Sequence, residues 1–202
     1  VLDVPVIKVS STEVTHLNFL RAVAKTMKPV ILSTGLSNLD EVGKALEVIR
    51  AYHQQVVVLH CTSSYPTRPE EANLQAMVSM QKAFCVAVGY SDHTLGWEAG
   101  IMAVALGACV IEKHFTIDKT LPGPDHSTSL NLGELKDFVA ALRKARLMLG
   151  DGEKKPSEAE LRNRDGIRRS VVAARDLSKG TRLIQEDITC KRPGTGIHPY
   201  EF

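Results

Sequence analysis

Strong charge of either sign is absent from this sequence, and so are long apolar runs and an abundance of aromatic residues. Lys and Arg number 25 against 23 Asp and Glu, and aromatics make up 5% of the 202 residues. No basic stripe interleaved with aromatics is present, so we expect no nucleic-acid partner. The longest apolar runs are broken by glycine and fall short of a bilayer's width, so we expect no membrane span.

Cysteine is also scarce. Four cysteines are present without CxxC spacing, which argues against a disulfide framework or a zinc site. We therefore expect reduced thiols in a cytoplasmic protein. The chain starts without Met and without a secretory leader, so we also expect it to begin inside a longer protein. The cysteines are Cys61, Cys85, Cys109 and Cys190.

Short apolar runs recur through the first 150 residues and predict buried strands. Each run is continuous rather than alternating, as expected for parallel strands that are covered on both faces. The predicted strands are residues 5–10, 29–34, 56–61, 85–91 and 109–115.

Helical patterns lie between these runs. Asn38 with Glu41, and Asn131 with Glu134, have the spacing of a helix capping box. Gly150 predicts the end of the last of these helices. The predicted helices are residues 15–27, 38–53, 73–84, 95–107 and 131–149.

Five strand–helix units leave two architectures open, a doubly wound open sheet and part of a TIM barrel. Nearly every predicted strand ends in reactive side chains. Chemistry at the carboxyl end of every strand is typical of a barrel, whereas an open sheet concentrates it at one switch point. We therefore predict an α/β fold formed by the last five units of a TIM (β/α)8 barrel.

The strand–helix pattern stops after Gly150, and the composition of the chain changes there. We therefore predict three segments. Residues 1–150 would be the C-terminal part of the barrel domain, and residues 151–166, charged and containing Pro156, would be a linker. Residues 167–202 resume a β-like pattern and would form the start of a small β-rich domain.

Two histidines stand at the ends of consecutive predicted strands. His93 and His114 could share a divalent cation and leave positions open for water or a substrate oxygen. Asp92 and Glu112 would then be outer partners of the histidines. The alternative is that each histidine only makes a hydrogen bond in its loop.

A second polar group follows the first predicted strand. Lys8 lies inside an apolar run with Ser11 and Glu13 close behind, and a buried ammonium needs an anionic partner. The group therefore suggests a cradle for a phosphate or a carboxylate. Asp125 lies in a glycine-flanked loop, where it could accept hydrogen bonds from a sugar or simply form a turn.

These residues fall within motifs that closely resemble the sialic acid synthase family. The motifs run in order along almost the whole chain: KVSSTE (8–13), KPVILSTGLS (28–37), LHCTSSYPT (59–67), VGYSDHTLG (88–96), IEKHFTIDKTLPGPDHSTSL (111–130) and KRPGTGI (191–197). The resemblance implies condensation of phosphoenolpyruvate with N-acetylmannosamine by a TIM barrel that precedes an antifreeze-like (SAF) domain. The motifs look bacterial, which implies free rather than 6-phosphorylated N-acetylmannosamine.

The resemblance also implies roles for individual residues. His93 and His114 match the ligands of Mn²⁺ or Mg²⁺, and Glu13 matches a carboxylate used in acid–base steps. Arg192 matches an arginine that reaches the sugar site of the partner subunit in a domain-swapped homodimer. The positions that match phosphoenolpyruvate contacts are Lys8, Ser11, Ser63 and Ser91, and those that match sugar contacts are Tyr65 and Asp125.

Three other functions fit parts of this pattern. A legionaminic or pseudaminic acid synthase would use a related amino sugar, although the LPGPDHSTSL loop looks closer to the sialic and legionaminic branch. A class II aldolase would share the metal and the barrel. A carbohydrate-binding protein would use the barrel as a scaffold only.

Overall fold

The computed structural model describes residues 3–201, and the chain divides into two compact units, Val1–Gly150 and Asp151–Phe202. The first unit is a curved parallel sheet with helices on one face. Its strands lie side by side in chain order: β1 (Ile7–Val9), β2 (Val30–Ser33), β3 (Val56–Cys61), β4 (Ala87–Asp92) and β5 (Ile111–Lys113). A strand order that never reverses fits the predicted partial barrel and rules out the doubly wound sheet.

Each strand is followed by a helix. The helices are α1 (Leu17–Ala24), α2 (Leu39–Arg50), α3 (Gln75–Phe84), α4 (Glu98–Ala105) and α5 (Leu132–Leu149). The capping boxes predicted for α2 and α5 are both confirmed, since the Asn38 side chain accepts from Glu41 N and the Asn131 side chain from Glu134 N. Gly150 ends α5 at φ +63°, as predicted.

The core of the first unit lies between the sheet and its helices. Leu20, Leu46, Ile49 and Met77 point from α1, α2 and α3 onto the strands and are at most 2% exposed. Burial of each such side chain contributes roughly 1.5–3 kcal/mol to stability. This packing holds the strands in register, so their carboxyl ends form a single edge.

The second unit contains helix α6 (Glu158–Ile167) and an antiparallel pair, β6 (Ser170–Ala173) and β7 (Ile188–Lys191). Helix α6 lies largely within the segment predicted as a linker, residues 151–166, so part of that segment is helical. The helix begins after Pro156 with a third capping box, in which the Ser157 side chain accepts from Glu160 N. Many residues of α6 are charged, but Glu, Ala, Leu and Arg also favour helix formation. A charged segment can therefore form a helix.

Within residues 3–201, no helix combines the length and the hydropathy needed to cross a membrane.

Candidate active site

A cavity of about 320 Å³ opens at the carboxyl ends of the five strands. The structure brings seven of the predicted site residues together around it: Lys8, Ser11, Ser63, Tyr65, Ser91, His93 and His114. Its other lining residues include Ser33, Cys61 and Glu112. Side chains from all five strands or the loops that follow them therefore converge on one space.

Lys8 and Glu112 show how strongly the sheet curves. Lys8 Nζ lies 3.3 Å from Glu112 Oε2, although β1 and β5 are at opposite edges of the sheet. In a flat sheet, four strand spacings would separate them by about 19 Å. The two edges therefore face each other across the cavity, as in part of a closed barrel.

The Glu112 carboxylate contacts both the Lys8 ammonium and the Ser91 hydroxyl. Ser91 Oγ donates to Glu112 Oε1 at 2.8 Å, while Oε2 faces Lys8. The sequence predicted an anionic partner for Lys8, and the Glu112 carboxylate is such a partner. The expectation that Glu112 is an outer partner of a histidine is not what the structure shows, since its carboxylate faces Lys8 and Ser91.

Three serines, Ser11, Ser33 and Ser63, line the same cavity as Lys8. Gly35 N donates to Ser11 Oγ at 2.8 Å, and a Cβ at Gly35 would collide with Ser63 Oγ. Ser33 Oγ is buried and has no hydrogen-bond partner among the described residues. A buried hydroxyl without a partner is costly, so Ser33 suits a ligand that enters the cavity.

No role was predicted for Ser33 from the sequence. A single serine at the end of a strand carries little signal. The lack of a partner for its hydroxyl becomes visible only in the folded chain.

The two histidines face each other at one side of the cavity. Their ring centroids lie 5.1 Å apart with an interplanar angle of 84°, and the Tyr65 ring lies 4.2 Å from that of His93. His93 Nδ1 donates to the Thr62 carbonyl at 2.8 Å. That hydrogen bond fixes the tautomer and directs the Nε2 lone pair to other partners.

The imidazole pair can serve as part of a metal site. Among residues 3–201, no three His, Cys, Asp or Glu side chains lie close enough to hold a metal ion together. Two imidazoles with one tautomer fixed nevertheless fit a divalent cation whose other positions are taken by water, substrate or further side chains. His93 and His114 are therefore the described residues that could hold such an ion.

Cys61 adds a thiol behind His93, with Sγ 3.9 Å from Nδ1. Burial raises the pKa of the Cys61 thiol, but contacts with His93 and neighbouring serines outweigh burial and leave the pKa below its ordinary value. Burial likewise lowers the pKa of His93, but the contacts with Cys61 and the Thr62 carbonyl raise it above its ordinary value. The two side chains thus favour each other's charged forms.

Asp92 lies behind the cavity rather than beside the histidines. Its carboxylate bonds Thr94 and Lys113 on the helix-facing side of the sheet. Successive side chains of a strand point to opposite faces, so Ser91 and His93 face the cavity and Asp92 cannot. Its predicted place as an outer partner of a histidine is therefore wrong.

Asp125 lies next to the main cavity. It lines an adjoining space of about 270 Å³ that shares His114, and its Oδ2 is 3.6 Å from His114 Nδ1. The loop that carries it is anchored at its base, where Leu130 N donates to the His114 carbonyl at 2.9 Å. Within the loop, the hydroxyl of Thr116 lies 2.7 Å from His126 Nδ1. The loop therefore holds Asp125 on the His114 side.

Two other predicted residues do not line the cavity. Glu13 belongs to a short 3-10 helix (Ser11–Glu13), and its Oε2 lies 2.9 Å from His16 Nδ1. Arg192 is an exposed residue of the second unit. Their predicted roles stay predictions.

Parallel strand–helix units with polar side chains at the carboxyl edge define this protein as a barrel-type enzyme fold. Residues 1–154 match the model of the NeuB family, and residues 168–202 match the SAF domain. The chain belongs to the NeuB family, the family of sialic acid synthases.

Relatives and a solved structure support this assignment. N,N'-diacetyllegionaminic acid synthase of Legionella pneumophila is 46% identical over 206 residues, which cover 100% of this chain and 58% of that protein. Pseudaminic acid synthase of Campylobacter jejuni is 43% identical and covers 95% of this chain and 56% of that protein. The chain thus spans under two thirds of the length of these relatives.

A crystal structure of N-acetylneuraminic acid synthetase from Leptospira borgpetersenii, in complex with citrate, matches with a TM-score of 0.74 at 35% identity. The match covers 80% of this chain and 56% of that one. The predicted partial barrel followed by an SAF domain is confirmed.

Proposed function

We propose that this chain is part of a nonulosonate synthase, which condenses phosphoenolpyruvate with an amino sugar and water and releases phosphate. The carrying observation is one cavity that combines an ammonium, several hydroxyls and an imidazole pair. Five strands do not close an eight-stranded barrel. We therefore assign the activity to the intact protein with its complete barrel rather than to this span alone.

Phosphoenolpyruvate would occupy the Lys8 side of the cavity. A phosphate and a carboxylate both favour an ammonium and hydroxyl donors. Lys8 would supply the ammonium. The hydroxyls would come from Ser11, Ser63 and Ser91. The exposed fraction of the Lys8 side chain, 36%, leaves its ammonium accessible to a ligand as well as to Glu112.

The amino sugar would occupy the His114 side. Tyr65 lies against both imidazoles there, and Asp125 approaches His114 from the loop. A carboxylate and a phenol can hydrogen-bond sugar hydroxyls. The two substrates would then meet across the middle of the cavity, which orients them for bond formation.

We further propose that His93 and His114 hold Mn²⁺ or Mg²⁺. When bound, the cation would supply Lewis acidity toward the sugar's aldehyde. The hydrogen bond from His93 to Thr62 would keep the ring oriented for that role.

The carbon–carbon bond forms between C3 of phosphoenolpyruvate and the aldehyde carbon. Water then adds to the oxocarbenium carbon at C2, and the tetrahedral intermediate loses phosphate. Lys8 would stabilise the anionic groups throughout. Glu112 lines the cavity, and in this proposal its carboxylate would accept a proton from that water. Glu13 is the carboxylate to which the family resemblance gives the acid–base role.

Two amino sugars are candidates. The motifs of the sequence favour N-acetylmannosamine. The 46% identity with a legionaminic acid synthase favours the amino sugar of that branch as a second candidate. The pseudaminic relative is 43% identical, so identity alone separates the branches little, and the LPGPDHSTSL loop is the better guide.

Phosphate release tests the proposal. The intact protein is incubated with phosphoenolpyruvate, Mn²⁺ and each sugar of a panel of N-acetylated amino sugars. Release that requires one sugar and matches product formation supports a synthase. A class II aldolase or a carbohydrate-binding protein would release none, so absence of release with every sugar would count against the function.

We also propose a homodimer in which Arg192 completes the partner's site, as the family resemblance implies. Arg192 is exposed, and a guanidinium forks well to sugar oxygens. Intact Arg192→Ala and His114→Ala proteins, each inactive alone, are mixed under conditions of subunit exchange. A mixed dimer contains one intact barrel served by one intact arginine, so activity should partly return. Exchange without recovery would show that Arg192 does not act between subunits.

A further inference from the structure

A buried polar cluster lies directly behind the two histidines, and the proposed reaction gives it no task. The Asp92 side chain is 0% exposed and that of Lys113 is 4% exposed, and Lys113 Nζ donates to Asp92 Oδ2 at 2.7 Å. Thr94, also buried, donates to Asp92 Oδ1 through both its amide (2.9 Å) and its hydroxyl (2.7 Å). Lys113 also donates to the Thr94 carbonyl at 2.6 Å.

The cluster brackets both histidines in the chain. Asp92 and Thr94 are the immediate neighbours of His93, and Lys113 immediately precedes His114. Asp92 and Lys113 are also opposite each other in the pairing of β4 with β5. Because side chains alternate along a strand, a bond between these two residues on the helix side fixes the backbone from which both imidazoles project.

Other contacts fix the same stretch of backbone. Thr67 N donates to the His93 carbonyl at 2.9 Å, and Thr67 pairs with Thr94 in a β-bridge. The Lys113 ammonium lies 5.7 Å from the centre of the Phe138 ring of α5, which closes the cluster from the helix side. Each polar atom of the ion pair thus has a defined partner.

Burial of two charges is costly, and an ion pair of this kind is weak evidence for stability alone. What it does supply is a single geometry, since both carboxylate oxygens and two of the ammonium's donors are committed. We propose that Asp92, Thr94 and Lys113 form a strand-end clamp that sets the spacing of the His93 and His114 imidazoles and thereby the affinity of the site for a divalent cation. The inference rests on the proposed function, in which the two histidines hold that cation.

The test uses a variant that releases the clamp without leaving a charge unpaired. Asp92→Asn/Lys113→Met keeps the side-chain volumes, and Asn can still accept from Thr94. The control is Lys119→Met/Glu134→Gln, which removes an ion pair between the Asp125 loop and α5. Gln at position 134 keeps the capping box of α5. Mn²⁺ binding to the intact proteins is measured by titration calorimetry without substrates.

We expect the Mn²⁺ dissociation constant of the clamp variant to rise about 10–100-fold, an effect as large as the loss of a group that hydrogen-bonds a metal ligand directly, because the clamp orients both ligands through the backbone. The control should bind Mn²⁺ like the wild type, and binding of phosphoenolpyruvate without metal should be equal in all three. If the clamp variant does not fold, Thr94→Val removes one donor to Asp92, and its affinity should fall several-fold.

If the clamp variant folds and binds Mn²⁺ as tightly as the wild type, the clamp does not position the histidines. If it does not fold, wild-type Mn²⁺ affinity of Thr94→Val leads to the same conclusion. His93→Ala separates this failure from that of the proposed function. If the wild type does not bind Mn²⁺, or His93→Ala binds it equally well, the metal site itself is wrong and the clamp falls with it.

Discussion

The two faces of the sheet at the end of β5 carry ion pairs of opposite character. On the cavity side, Lys8 and Glu112 lie 3.3 Å apart with side chains 36% and 38% exposed. On the helix side, Lys113 and Asp92 lie 2.7 Å apart with side chains 4% and 0% exposed. Glu112 and Lys113, adjacent residues of β5, thus form an open pair with Lys8 of β1 and a closed pair with Asp92 of β4.

The difference shows how one strand end can be both adaptable and rigid. The open pair has room for a ligand's anionic groups, and water screens its charges, so it adds little to stability. The closed pair is removed from water and depends on its partners. We expect changes on the helix side to alter stability and metal affinity, and changes on the cavity side to alter substrate binding.

Lys113→Met tests the closed pair most severely. Alone, it leaves the Asp92 carboxylate buried without its cation, so we expect the free energy of unfolding to fall by about 3–5 kcal/mol. Urea denaturation of the intact protein measures this loss. Lys8→Met is the matched control and should change the free energy of unfolding by no more than about 1 kcal/mol. Equal effects of the two changes would erase the contrast between the faces.

His93→Ala and His114→Ala address the function of the open side. Each removes one of the two proposed metal ligands and no core side chain, so we expect turnover to fall by more than roughly 100-fold, beyond the effect of losing an outer partner. Thermal unfolding should stay close to that of the wild type. Near-normal turnover of either variant in chelator-treated buffer without added metal would contradict the assignment.

Lys8→Met should affect one substrate more than the other. A hydrogen bond to a charged group contributes about 1.5–3 kcal/mol, so we expect KM for phosphoenolpyruvate to rise about 10–150-fold. KM for the amino sugar should change far less, because the ammonium lies against Glu112, whereas Tyr65 and Asp125 lie against the histidines. Equal rises for both substrates would leave Lys8 with a structural role only.

Local patterns predicted the elements of the first unit well. Asn38 and Asn131 begin helices where their capping boxes indicated, because a capping box depends only on residues three apart. The same rule identifies α6, where Ser157 precedes Glu160. Pro156 and the high charge of the segment indicated a linker without indicating that most of it is helical, and its role as a linker stays a prediction.

The site was predictable where it follows from strand ends and unpredictable where it depends on long-range geometry. His93 and His114 end neighbouring strands, so their proximity follows from chain order. The contact of Lys8 with Glu112 depends on the curvature of five strands, which no local pattern encodes. The sequence also cannot show that a 3-10 turn pairs Glu13 with His16.

Anomalous diffraction from crystals of the intact protein grown with Mn²⁺ and phosphoenolpyruvate tests the central claim most directly. We predict a manganese peak bonded to both His93 and His114, with the anionic groups of phosphoenolpyruvate against Lys8 and the neighbouring serines. A manganese peak remote from the two histidines, or phosphoenolpyruvate bound outside the cavity, would contradict the account.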